Sequence, residues 1–161
     1  MTVMIESLIG ILLFTILIVP LTLKNPFASV GDYPPAIREK CMELGLSEKR
    51  EQRFTRADIL RKGIALLAFV FIFAVILKQF NGADTFWKGD RDSYMIWLII
   101  DWYDALVLDS IWFCHSKKVR IPGTEDMEEY KDYCFHIKQS CIGMLLGLPA
   151  CLAVGVITAI L

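Results

Sequence analysis

Four apolar segments of about 20 residues each limit what this chain can fold into. A helix of that length crosses the ~30 Å hydrocarbon layer of a bilayer, and it also satisfies its own backbone hydrogen bonds there. The 161 residues leave too little chain between the segments for a separate soluble core. The sequence therefore predicts an all-α fold, a four-transmembrane-helix bundle that forms a single integral membrane domain over residues 1–161. The four segments are residues 4–23, 63–80, 94–114 and 141–161.

The predicted helices reach beyond some of these segments. We place them at about residues 4–23, 56–80, 94–114 and 124–161, the last with its membrane part at residues 141–161. A short cytoplasmic amphipathic helix is predicted after the first segment, because Ile37, Cys41 and Leu44 recur three and four residues apart. We expect this helix either to lie along the cytoplasmic membrane surface or to pack as an ordinary loop helix.

Basic residues are distributed unevenly over the links, and their distribution predicts the orientation. Fourteen of the 17 lysines and arginines lie in residues 24–62 and 115–138, and the other three lie in residues 78–93. Because basic residues favour the cytoplasmic side of short loops, both termini are predicted to lie outside. The lipid bilayer is then the first partner, and a multi-pass protein of the plasma membrane is expected. The net charge of −1 predicts no nucleic-acid partner.

Three aspartates lie inside the third apolar segment, which contains no lysine or arginine. An ionised carboxylate is costly in hydrocarbon, so such residues usually face a bundle interior or a polar cavity and mark functional sites. At about 100° per residue, the three aspartates share one broad helix face with aromatic residues. The predicted ion- or substrate-binding residues are Asp101, Asp104, Asp109, Tyr94 and Trp97.

The opposite face of the same helix is mostly aliphatic and is expected to meet lipid. It carries Ile96, Ile99, Tyr103, Val107, Ser110 and Cys114. Since hydrocarbon does not solvate carboxylates, the acidic face should meet protein or water. Another acid, Glu6, lies within a turn of the outer membrane surface and is expected to be solvated.

Two carboxyl groups one helical turn apart, such as those of Asp101 and Asp104, do not both ionise readily in a poorly polar site. We expect them to bind a proton, a metal ion or a cationic substrate. A structural role is the open alternative. Protonated aspartates can join helices by hydrogen bonds, and Asp109 can pair with Lys117 or Lys118 at the cytoplasmic end of the segment.

Small residues recur every four positions along the last apolar segment, and this spacing predicts a helix contact. Lipid supplies no hydrophobic drive between helices, so close packing over small residues has to hold them together. The partner is predicted to be another helix of the chain, a second copy in a homo-oligomer, or a larger membrane partner. The predicted helix-packing residues are Gly143, Gly147, Cys151 and Gly155.

Cysteine and histidine flank the second cytoplasmic link, as Cys114-His115 and Cys134-Phe-His136. Structural zinc sites use spaced pairs, and an adjacent Cys and His do not readily reach one metal, so no metal site is predicted. The sequence contains no G-x-S-x-G or H-E-x-x-H pattern, and no catalytic residue is predicted.

Together these patterns predict a small transport-related membrane protein whose intramembrane carboxylates bind protons or a cation. A non-catalytic accessory subunit of a larger membrane complex is the first alternative. The second is a lipid-modifying membrane enzyme in which Asp101, Asp104 and Asp109 hold Mg²⁺. No motif identifies a cofactor or a cargo.

Overall fold

The computed structural model describes residues 3–46 and 56–161, and within these ranges the chain is all-helical, with 84% helix and no strand. Three basic residues of the link after the first helix, Lys49, Arg50 and Arg53, lie outside the described residues. The α- and π-helices are α1 (Val3–Lys24), α2 (Pro35–Glu43), α3 (Arg56–Asn81), α4 (Phe86–Tyr103), a π-helix (Asp104–Phe113) and α5 (Tyr133–Ile160). Short 3-10 helices cover Pro26–Asp32, Lys117–Val119 and Glu128–Lys131.

Two of these helices, α1 and α5, are long and apolar enough to cross a membrane. Leu66–Asn81 and Phe86–Phe113 pass the same criterion only together, and they bend by 106° at the break between them. Counted as one span, this bent pair gives a third crossing. The bend follows Asn81-Gly82, where Gly82 has φ of 60°, a backbone conformation that glycine adopts without strain. The prediction of an all-helical chain is confirmed, and the two or three candidate spans are consistent with the predicted membrane location.

The last helix begins later than the sequence pattern suggests. The predicted start at residue 124 is wrong, since α5 begins at Tyr133. The Thr124 hydroxyl does not cap a helix but donates to the Ile121 carbonyl at 2.8 Å and meets the Tyr130 hydroxyl at 2.8 Å. Asp132 caps α5 instead, because its carboxylate accepts from the Phe135 amide at 2.9 Å.

The described chain forms two compact units, and the first contains Met1–Gly10, Gln52–Asp101 and Ile142–Leu161. Its buried apolar core is Val70, Ala74, Leu77, Ala83, Ile96 and Val154. Within this unit α4 lies against the small-residue face of α5. The Asp101 carboxylate contacts Gly143, and Asp90 and the Phe86 carbonyl lie beside Gly155. A side chain at either glycine would collide with α4, so the small residues permit this close approach.

The second unit contains Ile11–Glu51 and Trp102–Cys141. Its buried core is Val30, Tyr33, Ile37, Cys41, Phe113, Cys114, Val119, Ile121 and Tyr130. Two buried tyrosine hydroxyls join the loops around this core. The Tyr33 hydroxyl donates to the Val119 carbonyl at 2.7 Å, and the Tyr130 hydroxyl accepts from the Ile121 amide at 2.9 Å.

The structure decides between the two alternatives for the short amphipathic helix. Ile37 and Cys41 of α2 are fully buried in the core of the second unit. The apolar face of α2 therefore packs against protein, as in an ordinary loop helix, and is not available to a lipid surface.

Candidate functional site

The third apolar segment changes its helix type at its acidic half. From Asp104 to Phe113 it is a π-helix, in which each residue bonds to the fifth residue along the chain. The Cys114 amide donates to the Asp109 carbonyl at 3.0 Å, and the Ser110 hydroxyl reaches back to the Ala105 carbonyl at 2.6 Å. π-Helical turns are rare and occur frequently at functional sites.

This helix type corrects the face assignment made from the sequence. The assignment assumed the α-helical period throughout, and a π-helix does not keep that period. Asp109 and Cys114, which the assignment put on opposite faces, both interact with His136 in the second unit. The prediction that Cys114 meets lipid is wrong, because its side chain is fully buried there, and Ile96 is likewise buried in the core of the first unit.

Asp109 is paired with His136 of α5. The imidazole Nδ1 lies 3.1 Å from the Asp109 carboxylate oxygen Oδ2, with side-chain exposures of 4% for the histidine and 33% for the aspartate. Two aromatic rings, of Phe113 and Phe135, meet the imidazole edge to face at centroid distances of 5.4 and 5.3 Å. The His136 ring therefore lies between two aromatic rings. The Asp109 carboxylate orients it and is itself partly exposed at the protein surface.

The second imidazole nitrogen of His136 is in an unusual position. Nε2 is buried and has no hydrogen-bond partner within the described part of the chain. The buried Cys114 side chain also interacts with this ring. A buried polar atom without a partner lowers stability by about 1–3 kcal/mol, so its presence calls for a functional reason.

Charged groups of the neighbouring 3-10 helix and α2 extend the site. Burial and the Asp109 carboxylate together raise the pKa of Asp32, while the Arg38 guanidinium opposes this shift. The Arg38 Nε atom is buried and makes no hydrogen bond to the described residues, while its Nη1 donates to the Gly31 carbonyl at 3.5 Å. The second unit therefore brings together two acids, Asp32 and Asp109, and two bases, Arg38 and His136.

The other predicted site residues lie in different surroundings. Asp101 belongs to the first unit, whereas the half-buried Asp104 belongs to the second. Both aspartates interact with other groups of the chain. Trp97 Nε1 donates to the Gly143 carbonyl at 3.2 Å, and the Tyr94 hydroxyl donates to the Met144 carbonyl at 3.5 Å. The polar atoms of these two aromatic residues are thus engaged with the backbone of α5.

Sequence reasoning missed His136 as a partner of Asp109. The lysines considered for that role, Lys117 and Lys118, are exposed, and the ion-pair partner of Asp109 is the histidine. A lone histidine near the start of an apolar helix gave no signal of this pairing. The prediction that Glu6 is solvated is also wrong, because its side chain is 7% exposed.

Chemically, the pair of Asp109 and His136 can hold a proton, since an imidazole nitrogen accepts one and a neighbouring carboxylate stabilises the charged ring. Within residues 3–46 and 56–161, no three His, Cys, Asp or Glu side chains are arranged to hold a metal ion.

Comparison with models of known protein families, with curated proteins and with solved structures finds no match to this chain. The geometry of the site is therefore the basis for inferring its function.

Proposed function

We propose that this chain is a small multi-pass integral membrane protein whose intramembrane carboxylates bind protons, or a cation in their place, in the service of transport. The observation that carries the proposal is the pairing of Asp109 with the buried His136 at 3.1 Å. Intramembrane ionisable groups are costly, and they mark ion pathways and proton relays more often than they stabilise a fold.

The four-span topology is part of this proposal. Large apolar side chains are exposed along α1, α3 and α5, among them Leu13, Leu67 and Leu146. Such surfaces are unfavourable in water and favourable in lipid. If the two arms of the bent pair each cross the bilayer, the chain has four spans, and the basic links then place both termini outside the plasma membrane.

The exposures of the two partners support proton exchange through the carboxylate. His136 is almost completely enclosed, whereas a third of the Asp109 side chain is accessible. A proton that reaches the imidazole from outside the protein therefore passes the carboxylate first.

A flux measurement in liposomes tests the proposal. The purified protein is reconstituted with a pH-sensitive dye inside the vesicles, and proton entry is followed after a pH step. Asp109→Asn and His136→Gln are expected to abolish protein-dependent proton flux, while His115→Gln, which changes the exposed histidine, should retain it. If both site variants carried protons as fast as the wild-type protein, the proposal would be wrong.

A binding measurement complements the flux assay. The chain has two histidines, so His115→Gln leaves His136 as the only imidazole visible by nitrogen NMR. We expect a pH-dependent change of its ring signals that Asp109→Asn displaces. If the pH dependence of the His136 ring signals were the same in Asp109→Asn as in the parent protein, the two side chains would not share a proton site.

The accessory-subunit alternative has less support from the contacts. It needs the small-residue face of α5 to be open to a partner, but within the first unit this face already contacts Trp97 and Asp101. No specific contact favours the Mg²⁺-dependent enzyme either, because the described residues offer no group of three metal ligands.

A further inference from the structure

The first unit contains a second buried carboxyl group, that of Glu6 in α1. Its side chain is 7% exposed. Asn81, the last residue of α3, donates from Nδ2 to the carboxyl oxygen Oε2 at 2.6 Å. This pair belongs to a different unit from Asp109 and is not part of the site described above.

Two oxygen atoms of this pair have no partner. Glu6 Oε1 and Asn81 Oδ1 are both buried, and neither makes a hydrogen bond within the described part of the chain. If Glu6 is ionised, both atoms are acceptors and neither can satisfy the other. A buried carboxylate with one of its oxygens unpaired is strongly disfavoured.

A single proton would satisfy both oxygens. A protonated carboxyl group has one O–H donor and keeps its other oxygen as an acceptor, while an amide offers both an N–H donor and an acceptor oxygen. We propose that Glu6 carries a proton at neutral pH and donates it from Oε1 to Asn81 Oδ1. With the bond from Asn81 Nδ2 to Oε2, this closes a two-bond acid–amide ring and makes Glu6 a second proton-binding site.

No basic side chain among the described residues of the first unit pairs with Glu6. Asp92 of α4, with 4% exposure, places a second negative charge near Glu6, and the positive amino terminus of the chain acts in the opposite direction. The basic side chains that are described in this unit bind elsewhere. Arg91 holds Asp92 at 2.8 Å, Lys78 donates to the Thr158 carbonyl at 3.2 Å, and Lys88 donates to the Gly82 carbonyl at 2.8 Å.

Infrared spectroscopy of the whole protein in lipid nanodiscs tests this proposal, since a protonated carboxyl group absorbs apart from a carboxylate. At neutral pH we expect the wild-type protein to show an acid band that Glu6→Gln removes. The matched control is Glu43→Gln, which changes an exposed glutamate paired with Lys40 at 2.9 Å, and this variant should keep the band. An identical acid band in wild-type protein and Glu6→Gln would overturn the proposal.

Two further variants keep the test independent of folding. Glutamine can form both bonds to Asn81, so Glu6→Gln should melt at or above the wild-type temperature, and a markedly lower melting temperature would show that the ionised form is needed. Asn81→Leu leaves the acid but removes its partner, so the band should move towards the position of an unbonded acid. A band that stays in place in Asn81→Leu would overturn the ring.

A sodium ion is the alternative to the proton, because the two oxygens Glu6 Oε1 and Asn81 Oδ1, which lie near Asp92, could also bind a monovalent cation. Melting temperatures in sodium and in choline salts separate the two. We expect equal values in both salts for the wild-type protein. Stabilisation by sodium that disappears in Glu6→Gln would overturn the proton assignment.

Discussion

The indole ring of Trp97 occupies the space that a side chain at Gly147 would need. Trp97 lies between Ser93 and Asp101 on α4, each four residues away, and these neighbours meet Cys151 and Gly143 of α5. The four-residue rows of two helices thus match, large residues against small ones, over at least two turns. This is the packing that small residues at every fourth position allow in a membrane.

Enlarging Gly147 should therefore destabilise the protein. Gly147→Ala is expected to lower the free energy of unfolding by about 1–3 kcal/mol, because its Cβ would overlap the Trp97 ring. Gly63→Ala is the matched control in α3, since within the described part of the chain no atom outside its own stretch of helix lies within 4 Å of a Cβ there. The control should be neutral or stabilising by up to about 1 kcal/mol. Denaturation in detergent measures both, and equal stability of the two variants would contradict the packing.

Removing the carboxylate of Asp109 should also be costly. Asp109→Ala leaves Nδ1 of the buried His136 without a partner, which lowers the free energy of unfolding by about 1–3 kcal/mol. Asp126→Ala, at an exposed position of the same unit, should stay within about 0.5 kcal/mol of wild type. A double-mutant cycle with His136→Ala isolates the interaction, and additive single effects would show that the two side chains are not coupled.

The cysteines are expected to differ sharply in reactivity. Burial raises the pKa of the Cys41 thiol, and the side chain is fully enclosed, whereas Cys134 is exposed. Because the thiolate is the reactive form, a maleimide should modify Cys134 in the folded protein and Cys41 only after unfolding. Mass spectrometry of the peptides identifies the modified sites. Equal rates at the two positions would be inconsistent with the buried face of α2.

The pH dependence of stability should carry a contribution from Asp32. Burial and the Asp109 carboxylate raise the pKa of Asp32 in the folded chain above its ordinary value of 3.8. The folded state then prefers the protonated form, so this stabilising contribution is present at low pH and is lost as pH rises through the folded pKa. Asp32 is exposed, so solvent screens this effect, and Asp32→Asn should raise the melting temperature at neutral pH only slightly.

The advantage of Asp32→Asn should shrink as the pH falls towards about 4, where the wild-type carboxyl group becomes protonated. Melting curves over this range, with Asp126→Asn as an exposed control, measure the effect. An advantage that grows towards acid pH would have the wrong sign for a carboxyl group with a raised pKa.

Local patterns were sufficient to predict α1 and α3 closely. The predicted limits 4–23 and 56–80 correspond to Val3–Lys24 and Arg56–Asn81. An apolar run gives each helix its body, and Pro26 prevents α1 from continuing. The short helix around Ile37 and Cys41 could be predicted equally well, because the three- and four-residue spacing of its apolar residues identifies the face that is buried in the core.

The candidate site was harder to predict, because its determinants are distant in sequence. His136 lies beyond a long link from Asp109, and nothing in its own neighbourhood indicates that pairing. In the sequence, Glu6 looks like an acid at the membrane surface. Only the structure shows that it is hydrogen-bonded to Asn81, which is distant along the chain. The change to a π-helix at Asp104 is likewise invisible to a reading that assumes one helical period.

Because the turns between Asp104 and Phe113 are π-helical, the structure there depends on the exact number of residues in this stretch. Each hydrogen-bonded loop holds one residue more than an α-helical loop does. Deletion of a single residue would convert one π-helical turn to an α-helical turn. The side chains that follow the deletion would then be rotated by about 100° around the helix axis. The imidazole across from Asp109 would then face a different side chain, so a one-residue deletion in this stretch should be as damaging as replacing the aspartate itself.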